Sequence, residues 1–168
     1  MRVWLVLGAL VLAVGLVWWR SRPDDARRAG AWDTLARAFM LGFDGGSQSI
    51  RGKYRLLRLD ITARRVLLGV GPWRTQVSAR YEGVVPEGLR LALDRRGELR
   101  ASARTPETLG RWLDAHRRRE LLPALLQGGV RVSGHTAAVE TPGLLTDPQA
   151  LRAVLGQLAE LAKLLALR

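Results

Sequence analysis

The stretch Val3–Trp19 carries no charged side chain, and only its indoles offer a side-chain polar atom. A bilayer core is about 30 Å thick and takes roughly 17–25 apolar residues at about 1.5 Å each. A single segment in lipid satisfies its own backbone only as a helix. The sequence therefore predicts a transmembrane anchor over residues 1–20. Trp4 at one end and Trp18 and Trp19 at the other fit interfacial belts, where an indole is half apolar and half wet. Arg20 and Arg22 follow, with stems long enough to reach headgroups. These five are the candidate membrane-interface residues.

A cleaved leader is the competing reading. A small-x-small site should then follow the apolar run directly. Trp18-Trp19-Arg20-Ser21-Arg22-Pro23 follows instead, and Ala29-Gly30-Ala31 lies behind a charged stretch. Lipoprotein attachment is excluded, because the chain has no cysteine. Arg20, Arg22, Arg27 and Arg28 outweigh Arg2 across the span, which predicts a cytoplasmic domain.

Residues 21–30 read as a short polar linker, and 31–168 as one domain. Without cysteine there is no disulfide framework, thiol catalysis or thiolate metal site. The net charge is +12, and Lys53 and Lys163 are the only lysines among 27 basic residues. The arginines are dispersed; the densest runs are Arg117–Arg119 and Arg64-Arg65. No basic block interleaves with aromatics, so a nucleic-acid partner is not expected. The bilayer beside the anchor is the expected partner, at about 1 kcal/mol per basic residue near anionic lipid.

Trp32, Leu35, Ala36, Phe39, Met40 and Phe43 share one helical face, which predicts a core helix ending before Asp44-Gly45-Gly46. From Ile50 to Ala103 the period changes to two. Leu57, Leu59 and Ile61, extended back through Leu56 and Tyr54, predict one strand. Residues 75–82, 89–93 and 99–103 predict three more, forming an antiparallel meander with one wet face. The apolar stretch at Val66–Leu68 adds a strand or a loop facing the membrane. Thr105-Pro106-Glu107 opens a helix that Pro123 should divide into 106–117 and 119–127. Val130–Val139 predicts a small extra hairpin. Thr146-x-x-Gln149 with Pro148 predicts a capping box for a final helix, whose leucine stripe suits packing on the sheet or on a second copy. The fold class is α+β: an anchor, an antiparallel sheet of four to five strands, the extra hairpin and packed helices.

Catalytic residue types are scarce. His116 lies on a predicted apolar helix face, and His135 at a hairpin tip. Neither has a metal-ligand spacing, and no cofactor is expected. Asp60 and Glu82 are the one candidate acid pair for a hydrolase, although cross-strand pairing with Arg58 and Arg80 is the plainer expectation. Gly69-x-Gly71 lacks the third glycine and following helix of a nucleotide fingerprint.

Trp32-x-x-Leu35-Ala36, Gly52-x-Tyr54, Pro86-x-Gly88-Leu89 and Thr146-Asp147-Pro148-x-x-Leu151, after an N-terminal anchor, resemble a group of bacterial membrane-anchored proteins of unknown function. The resemblance implies no activity, and its motifs read as structural punctuation. The leading expectation is a single-pass, non-enzymatic interaction domain with a protein partner or self-association. The alternatives are a domain binding lipid or a small apolar ligand between sheet and helices, and a hydrolase.

Overall fold

In the computed structural model, residues 27–65 and 72–167 are described. The expected anchor, with Trp4, Trp18, Trp19, Arg20 and Arg22, lies outside them, as does 66–71. No described helix is long and apolar enough to cross a membrane. Helix α1 covers 27–38, so residues 27–30 of the expected linker are helical. The strands are β1 (Gly42–Asp44), β2 (Ser49–Tyr54), β3 (Leu57–Arg65), β4 (Trp73–Arg80), β5 (Arg90–Leu93) and β6 (Leu99–Ser102). Helices α2 (Pro106–Asp114) and α3 (Arg118–Leu125) follow, then β7 (Arg131–Ser133), β8 (Thr136–Pro142) and α4 (Pro148–Ala166).

The chain is α+β, but all eight strands among the described residues form one antiparallel sheet, in the order β1-β2-β3-β4-β8-β7-β5-β6. This corrects the expected four to five strands. The predicted first strand is two strands: Tyr54 pairs with Leu57 across a two-residue turn, with Arg55 at φ 55° and Leu56 exposed. That turn has neither Gly nor Asn, so its usual signal is missing. The hairpin β7–β8 is central to the sheet. Val139 opposes Val77 and Ala137 opposes Ala79, and β7 pairs with β5. The predicted meander therefore breaks after β4, because these apolar side chains match that strand's buried face.

Every second side chain faces one core. Ile50, Leu59, Ile61, Val77, Leu91, Val132 and Val139 meet Trp32, Leu35 and Ala36 of α1, with Leu122 of α3 and the leucines of α4. The stripe of α4 thus packs within its own chain. Thr75 is the polar exception on the buried face. Its hydroxyl donates to Gly143 O at 2.9 Å and accepts from Leu145 N–H at 2.9 Å, fixing the approach to α4. The cap of α4 is Asp147, not Thr146: its carboxylate accepts from Gln149 and Ala150 N–H at 2.9 and 3.2 Å. Aspartate is the stronger cap, and Pro148 then takes the first helical position.

Helix α1 stops earlier than its apolar stripe. Leu41 N–H donates to Ala36 O at 2.8 Å and Met40 N–H to Arg37 O at 3.1 Å, a Schellman closure with Met40 at φ 54°. Met40 is consequently 95% exposed, and Phe43 lies in β1. Glycine is the usual residue at such a left-handed position. Met40→Gly is expected to raise stability by about 0.5–1 kcal/mol, read as a higher urea midpoint for the full chain in nonionic detergent.

The break between α2 and α3 falls at His116 and Arg117, both left-handed at φ 54° and 55°, and Pro123 sits inside α3. His116 is exposed, contrary to the expected apolar face. Leu113, three residues earlier, takes the buried place. The kink reverses the chain so that Arg118 enters the core, where it is 1% exposed. Its Nε donates to Leu164 O at 3.2 Å, Nη1 to Trp112 O at 2.9 Å and Nη2 to Leu167 O. Burial lowers its pKa from the ordinary value, yet a guanidinium stays protonated. Gln157 Nε2 similarly donates to Leu125 O and Gln127 O at 2.9 and 2.8 Å, closing the end of α3.

Two turn aspartates contribute to the acid response. Asp94 accepts from Glu98 and Arg96 N–H, and Asp44 from the Ser47 hydroxyl and Gly46 N–H. These bonds hold both carboxyls below the usual value of 3.8. Depressed carboxyls give stability that is present above the unfolded value and lost as pH falls through the folded one. The double variant Asp44→Asn/Asp94→Asn removes titration and leaves one acceptor oxygen at each turn, enough for both bonds at Asp94, whose Oδ1 takes both, and for one of the two at Asp44. It is expected to flatten the fall of the urea midpoint below about pH 4.

Candidate functional site

The alternation that buries one sheet face places the other residues of each strand on the opposite face. Register brings sequence-distant arginines together there. Lys53 opposes Arg58, and Arg58 opposes Arg80. Arg64 opposes Arg74. Arg51 opposes Asp60 on β3, Arg131 opposes Ala138 on β8, and Arg90 opposes Ser133 on β7. Arg100 opposes Ala92 on β5. All these basic residues are exposed. The acids on the same face are Asp44, Asp60 and Glu140.

Those acids neutralise only part of the charge. Asp60 pairs with Arg51 at 3.4 Å, and Glu140 with Arg64 and Arg74 at 3.6 Å each. Asp94, in the β5–β6 turn, takes Arg100 at 3.5 Å. Among the described residues, no carboxylate lies in ion-pair range of Lys53, Arg58, Arg80, Arg90 or Arg131. Directly opposed residues have Cβ atoms about 4.5–5.5 Å apart, and like charges there are destabilising. The row Lys53–Arg58–Arg80 thus sets three like charges side by side. Comparisons with models of protein families, with curated proteins and with solved structures find no match.

The row ends in a cleft of about 860 Å³, between the ends of β2, β3 and β4, the β7–β8 turn and the last turns of α4. Leu57, Ala159 and Ala162, all buried in the core, and the half-buried Ala166 border it. Tyr81 stands in the lining with its hydroxyl donating to Gly134 O at 2.7 Å. Burial pushes the Tyr81 phenol well above its ordinary pKa, so it adds no negative charge. The His135 ring sits 6.0 Å from that of Tyr81, in the turn where the sequence placed it.

The proposed acid pair is not brought together. Asp60 opposes Ser78, and Glu82 lies two residues past the end of β4. Four residues of extended chain correspond to about 13 Å. Asp60 also takes Arg51 rather than Arg58. The described residues hold no group of three metal-ligating side chains.

At the opposite end of the sheet the Arg28 and Arg65 guanidiniums lie 4.1 and 4.7 Å from the Trp73 ring centroid. Sequence reading missed the gathering of charge on the sheet. Arginine alternating with apolar residues in four predicted strands was a signal for it, but register joins those strands into one face.

Proposed function

We propose that this chain is a membrane-tethered, non-enzymatic binding module whose basic sheet face docks on anionic lipid headgroups. The observation that carries this reading is the one-sided charge, with Lys53, Arg58, Arg80, Arg90 and Arg131 lacking carboxylate partners among the described residues. The apolar stretch Val3–Trp19 supports the tether. Residues 20–26 reach at most about 25 Å when extended, which keeps the domain within range of the headgroups. Each basic residue near an anionic surface contributes about 1 kcal/mol, and the attraction fades within a Debye length of about 8–10 Å.

The absence of native cysteine allows clean labelling. Ser78→Cys places a fluorophore near the centre of the basic face, and Ala153→Cys places one on the exposed side of α4. The full chain is reconstituted in discs containing nitroxide-headgroup lipid, with or without phosphatidylglycerol. Quenching at residue 78 is expected only in anionic discs and is relieved by raised salt; residue 153 stays bright. Arg90→Glu/Arg131→Glu should lower the docked fraction at least about tenfold, since four charge units are changed. Equal quenching at both positions, or in neutral discs, overturns the reading.

A further inference from the structure

We propose that the outer edge of β6 pairs with the same edge of a second copy of this chain, antiparallel and in one register set by charge. The sheet order ends at β6, so among the described residues no strand pairs with that edge. The hairpin fixes which groups face outward. Asp94 N–H donates to Glu98 O at 2.9 Å, and the register runs on through Ala92–Arg100 to Arg90–Ser102. Bonded and unbonded pairs alternate along an antiparallel ladder. The N–H and C=O of Leu99 and Ala101 therefore point away from β5. Arg104 N–H turns back to Glu87 O at 2.8 Å, which leaves Ala103 pointing outward as well. Leu99 and Ala101 pack on the core yet stay half-buried, whereas Leu91, opposite Ala101, is buried. Nor is this edge blunted in the usual ways: β6 and its continuation to Ala103 hold no proline, and the register shows no bulge. The opposite edge, β1, is only three residues long.

Charge complementarity names the occupant. Pairing centred on Ala101 sets Leu99 against the partner's Ala103, Arg100 against the partner's Ser102 and Glu98 against the partner's Arg104. Large meets small on the core side, and the basic face gains an acid–base pair twice by symmetry. Glu98 is exposed, and among the described residues no cation lies in ion-pair range of it, since Arg100 takes Asp94 and Arg104 takes Glu87. Arg104 keeps further guanidinium donors for a second carboxylate. Slipping the partner by two residues one way sets Arg100 against its own copy, and the other way sets Arg100 against the partner's Arg104. Like charges directly opposite are destabilising. A slip of one residue mismatches the outward groups and the faces. The two-fold axis of such a pair runs through the sheet, so both copies turn their basic faces to the same side. Pairing is thus compatible with the proposed docking and does not depend on it.

The chain has no native cysteine, so introduced ones report the register. Arg100→Cys and Ser102→Cys forms of the full chain, distinguished by tag mass, are mixed in nonionic detergent without anionic lipid and oxidised mildly. Opposed unbonded residues have Cα atoms about 4.5 Å apart, within disulfide reach. The crosslink between the two forms is expected to exceed those within either form at least about fivefold, because like positions then lie about 8 Å apart. Sedimentation equilibrium of the native sequence in the same detergent should show a reversible dimer. Ala101→Pro removes an outward N–H, where an edge strand tolerates proline, and should abolish that dimer. Glu98→Arg should weaken it about tenfold, since symmetry reverses the charge pair twice. A monomer at every concentration, equal crosslinking within one form, or full retention of the dimer in either folded variant overturns the proposal. Glu98→Arg alters an exposed residue only, so it decides the matter even if Ala101→Pro does not fold.

Discussion

Arg118→Ala is expected to cost about 3–5 kcal/mol, a large part of a domain's typical 5–15 kcal/mol. The guanidinium is the shared cap of two helices. Trp112 O belongs to the last turn of α2, and Leu164 O and Leu167 O to the end of α4. Such terminal carbonyls have no partner within their own helix, and a cation there also meets the negative end of the helix dipole. Its charge centre lies 4.5 Å from the Trp112 ring centroid, adding a cation–π contact away from water. Hydrogen bonds from a charged donor are worth about 1.5–3 kcal/mol each, and truncation also strands the buried acceptors. Arg118→Lys keeps the charge but not the three-way fork, so its loss should be smaller. Urea unfolding of the full chain in nonionic detergent, followed by tryptophan fluorescence, measures both. A loss below about 1 kcal/mol for alanine would show that water replaces the guanidinium without penalty.

This clamp marks where sequence reading stops. Arg118 sits in the densest arginine run, where neighbours Arg117 and Arg119 pair with surface acids, and nothing local distinguishes the buried member. Two consecutive left-handed residues turn it inward, and neither is glycine. The same gap hid the Arg55-Leu56 turn and the end of α1 at Met40. By contrast, β3, β4, β5 and β6 were legible from their alternation, because burial of one face enforces a period of two. Helix α4 was legible for the corresponding reason at 3.6 residues per turn. Strand order was not, since β8 finds β4 through matched Val139–Val77 and Ala137–Ala79 pairs far apart in sequence. Two glycines sit where the backbone needs them: Gly88, at φ +70°, lies in a turn that Leu89 N–H closes on Pro86 O at 3.1 Å, and Gly52 leaves room for Leu41. The basic site followed the same divide. Its residues could be assigned to polar faces one strand at a time, but their convergence depended on register.

Gly83→Val is expected to destabilise the chain by about 2–3 kcal/mol and to open the cleft from its helical side. A Cβ at Gly83 would lie 2.8 Å from Ala166 Cα and 3.1 Å from Ala166 Cβ. The first of these is backbone, so no rotamer change relieves the contact, and the end of α4 must move. That end is also what Arg118 holds through Leu164 O and Leu167 O. The two residues act on one element from opposite sides: Arg118 draws the terminus toward α2 and α3, and Gly83 lets it approach the end of β4. Sites sharing a structural element couple by roughly 0.5–3 kcal/mol. The double variant Gly83→Val/Arg118→Ala should therefore cost less than the sum of its parts, because a terminus already displaced has less left to lose. A double-mutant cycle on urea midpoints reads the coupling. Strict additivity would mean that the helix end yields locally at each contact. In that case the cleft's helical wall is not set by the clamp, and the geometry of Ala162 and Ala166 depends on Gly83 alone.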